Sequence, residues 1–453
     1  MTMDTMKLRE ITAIAVPAIL ESLVTVVIAS IDTKMISVLG GTAISAVSLT
    51  AQPKLFCFAV FFAMGTAVSV FVAQAFGRRN REEANGYFHS ILKITLLLSI
   101  LLGALLWLWA EPVMRLCSQQ EETVGLSAVF FGIVMGLMVF QTTSIVLNAA
   151  LRGIGRTKFT LAANLVMGAV DIIFNYLLIE GNCGFPRLEV AGDAIATVLG
   201  TAASCLVSLT VLLRHDDFLS FHGFFTHSLF ADRRQLSEIR SKAGNTIFEN
   251  IFLRLGFLLS GMIVSLFPAG ETAVYFVTML LLNFSFAVGD GIQSAVVALT
   301  GRSMGAGRYD DLRQYLRLSL LVGLLLSVVL GVTYIVGADW FFGQFFHDKV
   351  SIEQGRAFAF VAAVLTGFQI SRIVIAAAMR GIGEMKIPRQ VAMICVLFIN
   401  PSTSYLLSQT FGQGVWGIWQ GALISQGAWA LMCTLKARKC LGTLPAKKEE
   451  SIC

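Results

Sequence analysis

The chain has 453 residues, of which 56% are hydrophobic and only 14% charged, whereas a soluble domain carries about 25% charged residues. Apolar runs of membrane-span length recur from end to end, and this excludes a soluble globular domain. The net charge of +6 comes from basic residues gathered in the loops between those runs, so it implies no nucleic-acid partner.

The runs predict twelve helices, at residues 11–38, 47–76, 86–110, 123–151, 158–180, 190–213, 243–267, 271–300, 312–338, 356–379, 388–409 and 414–436. None alternates with the period of a barrel strand, so the spans are expected to be helical throughout. Breakers separate them: GRRNREE, GIGRTK, NCGFPRLEVAGD, GRSMGAGRYDD, GIGEMKIP and FGQG. The first residues, MTMDTMKLREI, lack a cleavage site behind a short apolar segment, and no removable signal peptide is expected. The eight cysteines form no CxxC pair, and no His/Cys spacing points to zinc.

Loop charge sets the orientation. With both ends cytoplasmic, the inner segments hold twenty-five Lys and Arg, against Arg115, Arg187, Lys349 and Arg356 outside. The longest polar interruption, residues 214–242, reads as a cytoplasmic linker that partly forms a surface amphipathic helix.

Ala150-Leu151-Arg152-Gly153-Ile154-Gly155 closes the fourth span, and Ala378-Met379-Arg380-Gly381-Ile382-Gly383 closes the tenth, 228 residues later. The same offset relates Gly77 to Gly305 and Glu21 to Glu249. Residues 1–213 therefore read as one six-helix lobe and 243–436 as a second, with 214–242 between them and 437–453 as a cytoplasmic tail. Six is even, so both lobes insert the same way, as parallel repeats.

Carboxylates inside spans are costly, about 2.5–3.5 kcal/mol each on insertion scales, and need a reason. Glu21, Thr25 and Asp32 share one face of the first helix, a polar stripe about 16 Å tall. Pro17, one turn before it, invites a bend. Asn164, Gly168, Asp171 and Asn175 share one face of the fifth. Carboxylate and amide oxygens on facing helices suit Na⁺, and the same acids would also take a proton. Interhelical hydrogen bonding is the alternative for each of them. Glu249 reads as a cation site of the second lobe or as the partner of Arg254 or Arg372. Glu249, Asp290 and Glu21 are the candidates for a second cation or substrate site; Asp290, between Gly289 and Gly291, reads as functional or as part of a close packing or a break. Arg152 and Arg380 read as cationic caps on helix C-termini. No GxxxxGK[ST], HExxH or GxSxG stretch in a strand–helix setting occurs, so neither an ATPase nor a hydrolase is expected.

The chain resembles the MATE (multidrug and toxic compound extrusion) family over nearly its full length. The segments that carry the likeness are IDTKMISVLG, VAQAFGRRNREEA, ALRGIGRTKF with DIIFNYLLIEG, GNTIFENIFLRLG, LTGRSMGAGRYDDL, AMRGIGEMKIP and GQGVWGIWQG, specific in their order and duplication. The resemblance implies an all-α polytopic protein of two pseudo-symmetric six-helix bundles around a central cavity, arranged as an inverted V. It implies cation-coupled export, with Na⁺ or H⁺ entering as a drug or metabolite leaves, by alternating access across the plasma membrane. No resident cofactor is implied, and the expected partners are a small organic substrate and the bilayer, the protein itself a monomer. The family's cation site uses an Asp of the first helix, matching Asp32, and an Asn-x-x-x-Asp pair in the fifth, which here reads Asp171-x-x-x-Asn175 with the two exchanged. Thr197 matches a hydroxyl of that site in the sixth. A second site in some members matches Glu249, without the acid it needs in the tenth helix. A lipid-linked precursor flippase of the same superfamily is the alternative; twelve spans and few intramembrane bases weigh against it.

Overall fold

The computed structural model describes residues 3–118, 120–214, 218–221, 224 and 233–442. Most of the expected surface helix in the linker, and residues 443–453 of the tail, lie outside the described residues. No strand occurs among the described ones.

The first half runs α1 (Met3–Ile36), α2 (Gly41–Gly77), α3 (Arg81–Leu108), α4 (Ala110–Arg115), α5 (Glu121–Gly136), α6 (Met138–Gly153), α7 (Thr157–Leu178) and α8 (Glu189–Arg214). The second runs α9 (Arg233–Val264), α10 (Ala269–Gly305), α11 (Tyr309–Val336), α12 (Ala338–Gly343), α13 (Lys349–Gly381), α14 (Lys386–Ala392), α15 (Asn400–Tyr405) and α16 (Val415–Gly442). Among the described residues, ten helices are long and apolar enough to cross a membrane. α5 and α6, bent by 49° at Leu137, together make one further span, and α16 completes twelve long elements at the predicted places. The short α4 and α12, which sequence patterning missed, sit at positions related by the same 228-residue offset. α9 begins ten residues earlier than expected, because its charged first turns are anchored: Tyr87 Oη donates to Glu238 at 2.7 Å and Ile239 is buried.

The chain divides into two compact units, Leu20–Gly244 and, together, Met1–Ile19 with Asn245–Cys453. In the first, Phe71, Phe88, Ile91 and Leu147 anchor a core on α2, α3 and α6. Tyr87 stacks on Phe71 at 4.0 Å. Phe218 and Ser220 of the linker are pinned to α3: Asn85 Nδ2 donates to the Phe218 carbonyl at 3.1 Å, and the Ser220 amide donates to Asn85 Oδ1 at 2.8 Å. In the second, Trp419 and Phe358 meet Tyr275 and Phe342 in the main core.

The duplicated RGIG segments end their helices in the same way. Gly155 and Gly383 take φ of +84° and +90°. The amide of Arg156 donates to the Leu151 carbonyl and that of Glu384 to the Met379 carbonyl, each at 2.9 Å, as in a Schellman motif. The first glycine of each segment has another task. A Cβ on Gly153 would lie 2.7 Å from the Ser69 carbonyl oxygen, and one on Gly381 would lie 2.0 Å from Thr300 Oγ1. Gly153→Ala is therefore expected to lower the thermal midpoint of the purified protein, since a backbone carbonyl cannot step aside; overpacking of this kind costs about 1–3 kcal/mol. Gly381→Ala is expected to be largely rescued by Thr300→Ala, because there a side-chain oxygen is the obstacle.

Candidate functional site

α1 and α7 lie face to face within the first unit, and the stripes read from sequence are the faces that meet. Asn164 Nδ2 donates to Glu21 Oε1 at 2.7 Å. One step up, Gly168 leaves the space that Ile28 fills; a Cβ there would stand 2.0 Å from Ile28 Cδ1. A further step up, Asn175 Nδ2 donates to Asp32 Oδ1 at 3.4 Å. α8 closes on α7 through small residues: a Cβ on Gly192 would strike the Leu178 carbonyl at 2.6 Å and one on Gly200 the Met167 carbonyl at 2.8 Å. This close approach carries Asp193 and Thr197 to the same place. Thr197 and Asp32 both stand beside the Asp171 carboxylate.

Asp32, Asp171, Asn175 and Thr197 are thus brought together at one level of the bundle. Asp171 is 5% exposed and Asn175 fully buried, while Asp32 is half-buried. Asp171 Oδ1 and Asn175 Oδ1 are both buried without a hydrogen-bond partner among the described residues. Two adjacent orphaned oxygens, next to a second carboxylate, call for a proton or a cation.

Two charged members of this cluster were missed in the sequence. Asp193 is 2% exposed and lies beside Asn175. Lys54 of α2 is the nearby cation of both Asp193 and Asp32, its Nζ 4.5 Å from the centre of the Phe130 ring. The legible signal was the one-turn spacing of Asp193 and Thr197 on one helix face; Lys54 had none beyond its place inside a span. No group of three or more His, Cys, Asp or Glu converges on one metal-binding point among the described residues.

Glu21 and Glu249, expected as positions of a second cation or substrate site, are placed otherwise. Glu21 accepts from Arg152 Nη1 at 2.8 Å, Thr160 Oγ1 at 2.5 Å and Asn164, which fills its acceptor sites. Glu249 is paired with Arg380 Nη2 at 2.6 Å, and Arg380 Nη1 donates to Gln293 Oε1 at 2.6 Å. The partner of Glu249 is therefore neither Arg254 nor Arg372. Arg152 and Arg380 do not cap carbonyls as expected; their side chains turn inward to the repeat-related glutamates. Asp290 is exposed on an unbroken α10. Its flanking glycines serve packing: a Cβ on Gly289 would strike Ile373, and one on Gly291 the backbone of Ile19.

The second unit has a counterpart of the cluster without its charge. Asn400 Nδ2 donates to Ser260 Oγ at 2.9 Å. Ser260 stands where Asp32 does and Ser425 where Thr197 does, by the 228-residue offset. The Ile28–Gly168 contact recurs with sizes exchanged, Gly256 facing Val396, whose carbonyl a Cβ would meet at 2.4 Å. The eleventh span is wound irregularly here, with π-helical turns at Met393–Ile399 and Leu406–Thr410 on either side of Asn400 and Pro401. Such turns re-aim side chains and often mark functional places.

A family model described as MatE matches residues 17–177 and 246–406, two stretches of equal length, one in each half. The chain is 25% identical over 397 residues to "Uncharacterized transporter YisQ" of Bacillus subtilis (strain 168), covering 86% of this chain and 85% of that protein. It is 26% identical over 390 residues to "Probable multidrug resistance protein NorM" of Listeria monocytogenes serotype 4b (strain F2365), covering 84% and 83%. Among solved structures, "Outward-facing conformation of a multidrug resistance MATE family transporter of the MOP superfamily." superposes with a TM-score of 0.89 at 17% identity, over 99% of this chain and 100% of that one. "Crystal structure of MATE in the bent conformation" superposes with a TM-score of 0.88 at 17% identity, over 98% of each.

Proposed function

The chain belongs to the MatE family of membrane transporters, and from that premise we propose that it is a cation-coupled exporter of small organic molecules. It is a multi-pass membrane protein and not an enzyme. Its relatives include proteins named for multidrug resistance, which supports cationic or amphipathic drugs and metabolites as the exported class. The positive-inside pattern supports a cell-membrane location with both ends in the cytoplasm.

The observation that carries the coupling is the pair of orphaned buried oxygens, Asp171 Oδ1 and Asn175 Oδ1, beside the Asp32 carboxylate. When no ion is bound, two carboxylates in contact repel, and the buried amide oxygen lacks a donor. A Na⁺ ion, a hard cation that prefers oxygen, or a proton shared between the acids relieves both. Thr197 and Asn175 then orient the acids, while Lys54 balances Asp193 and keeps the cluster from holding more than one additional cation.

Coupling requires that the helices around the cluster differ in packing with and without the ion. α1 is suited to this. It carries Asp32, and Pro17 leaves the Ala13 carbonyl without its intrahelical donor. Neutralisation of Asp32 lets the upper part of α1 settle against α7, with the bend taken up near Pro17, and the substrate is released outward by alternating access.

The test is efflux from proteoliposomes under separately imposed Na⁺ and H⁺ gradients, across a panel of organic cations. Export is expected to run against the solute gradient when one of the two ions is supplied, and to stop when that gradient is collapsed. Movement of solute only down its own gradient, whichever ion is supplied, would contradict the reading.

A further inference from the structure

The counterpart of the acidic cluster, in the second unit, opens into a small cavity of about 50 Å³, room for a few waters or one compact ion. Its charged wall is Arg372 of α13, which is 6% exposed. The guanidinium lies 4.1 Å from the centre of the Trp429 ring and 5.7 Å from that of Phe286. Stacking serves the face of the guanidinium but leaves its in-plane N–H groups to be satisfied. Among the described residues Arg372 has no ion pair, and its Nε is buried with no acceptor. Glu249 and Asp290 act on it electrostatically, but Glu249 is committed to Arg380, and among the described residues no carboxylate lies within ion-pair distance of Arg372.

A second orphaned donor belongs to a residue of the same wall: Trp419 lines the cavity, and its buried Nε1–H has no acceptor among the described residues. Gln369 and Asn400 also line it, and each has one amide N–H engaged, by the Leu282 carbonyl and Ser260 Oγ respectively, leaving a second to offer. The two units are thus opposite in kind at equivalent places. The first has orphaned acceptors among carboxylates; the second has two orphaned donors, Arg372 Nε and Trp419 Nε1, and one neutral orphaned acceptor, Gln426 Oε1, which cannot balance the charge of the cation. A buried cation left without an acceptor is costly, and the cost is removed by an anion in contact with it.

We propose that this cavity is a binding site for one compact monovalent anion, held by Arg372 and the Trp419 indole N–H. The shared chemistry is a single small negative charge, supplied either by a free inorganic ion or by the carboxylate of an organic solute whose apolar part rests on the aromatic wall. The assignment does not depend on which solute the protein exports or on its coupling ion, and it is read by binding alone.

The full chain in lipid nanodiscs is titrated with chloride and, separately, with benzoate, while isethionate, a bulky sulfonate, holds the ionic strength constant. The thermal midpoint is followed, since a ligand that binds the folded state raises it. A saturable rise with either anion is expected. A response to chloride alone identifies an inorganic ion, and one to benzoate alone an organic carboxylate. Arg372→Gln is expected to weaken binding at least about tenfold. Trp419→Phe, which keeps an aromatic side chain but removes the N–H together with the five-membered ring, is expected to weaken it severalfold; because Trp419 belongs to the core its midpoint without anion also falls, so the anion-dependent rise is what is compared. Ser260→Asp supplies an internal carboxylate and is expected to abolish the anion response while raising the midpoint in isethionate. A wild-type midpoint indifferent to both anions, or a folded Arg372→Gln that responds as the wild type does, overturns the proposal.

Discussion

Asp32→Asn is expected to abolish gradient-driven efflux, a loss of about 100-fold or more, while leaving the protein folded. The substitution keeps the shape of the side chain. It removes one of the two facing carboxylates and supplies an amide N–H that can donate to Asp171. The neighbourhood is then satisfied with no cation at all, so ion entry no longer changes the packing of α1 against α7 and drives nothing. A hundredfold loss corresponds to about 2.7 kcal/mol of lost coupling, of the size expected when a charge-assisted contact is replaced by a neutral one. Asp171→Asn is expected to behave alike. Asp193→Asn should be milder, because Asp193 is balanced by Lys54. The measurement is initial efflux rate in proteoliposomes with the gradient imposed and collapsed, alongside the thermal midpoint of each variant. Undiminished gradient-dependent export by a folded Asp32→Asn protein would sink the coupling role.

Arg380→Met is expected to be the most destabilising single substitution among the intramembrane ion pairs, at about 3–5 kcal/mol, because it strands a buried carboxylate. Glu249 is 1% exposed, and among the described residues Arg380 is its one hydrogen-bond partner, its other oxygen, Oε2, having none. The double variant Glu249→Gln with Arg380→Met should recover most of the loss, since it removes the uncompensated charge. The repeat-related pair gives the control. Glu21 keeps Thr160 and Asn164 as donors when Arg152 is lost, and the Arg152 side chain is 27% exposed against 13% for Arg380. Arg152→Met should therefore cost clearly less. Thermal unfolding of the three variants and the wild type in one detergent checks the order. A larger loss for Arg152→Met than for Arg380→Met would refute the account of what holds each glutamate.

How far the fold and the site could be read beforehand differs residue by residue. The twelve spans were legible because membrane length and apolar composition are local properties. The faces were legible too: the Glu21/Asp32 stripe and the Asn164/Gly168/Asp171/Asn175 stripe both follow from a period of 3.6 residues. What periodicity could not say was how the stripes divide. Glu21 and Asp32 share a face yet belong to different contacts, one ended by Arg152 from α6 and the other by Asp171 from α7. Lys54 was unreadable because nothing local tells that α2 brings it to Asp32 and Asp193.

The sequence by itself determined an all-helical membrane protein, its duplicated halves, the helix-ending glycines and the polar faces, since each depends on neighbours along one helix. The tertiary structure alone decided the partners. It turned two apparent caps, Arg152 and Arg380, into buried ion pairs with glutamates 131 residues away. It added Asp193 and Lys54 to the acidic cluster, and it set Arg372 over a cavity with no acid in reach. Those outcomes depend on which helices approach closely. That is set by small residues such as Gly168 and Gly256 at contacts between segments far apart in the chain, where the energy of one side chain is fixed by another that its own helix does not contain.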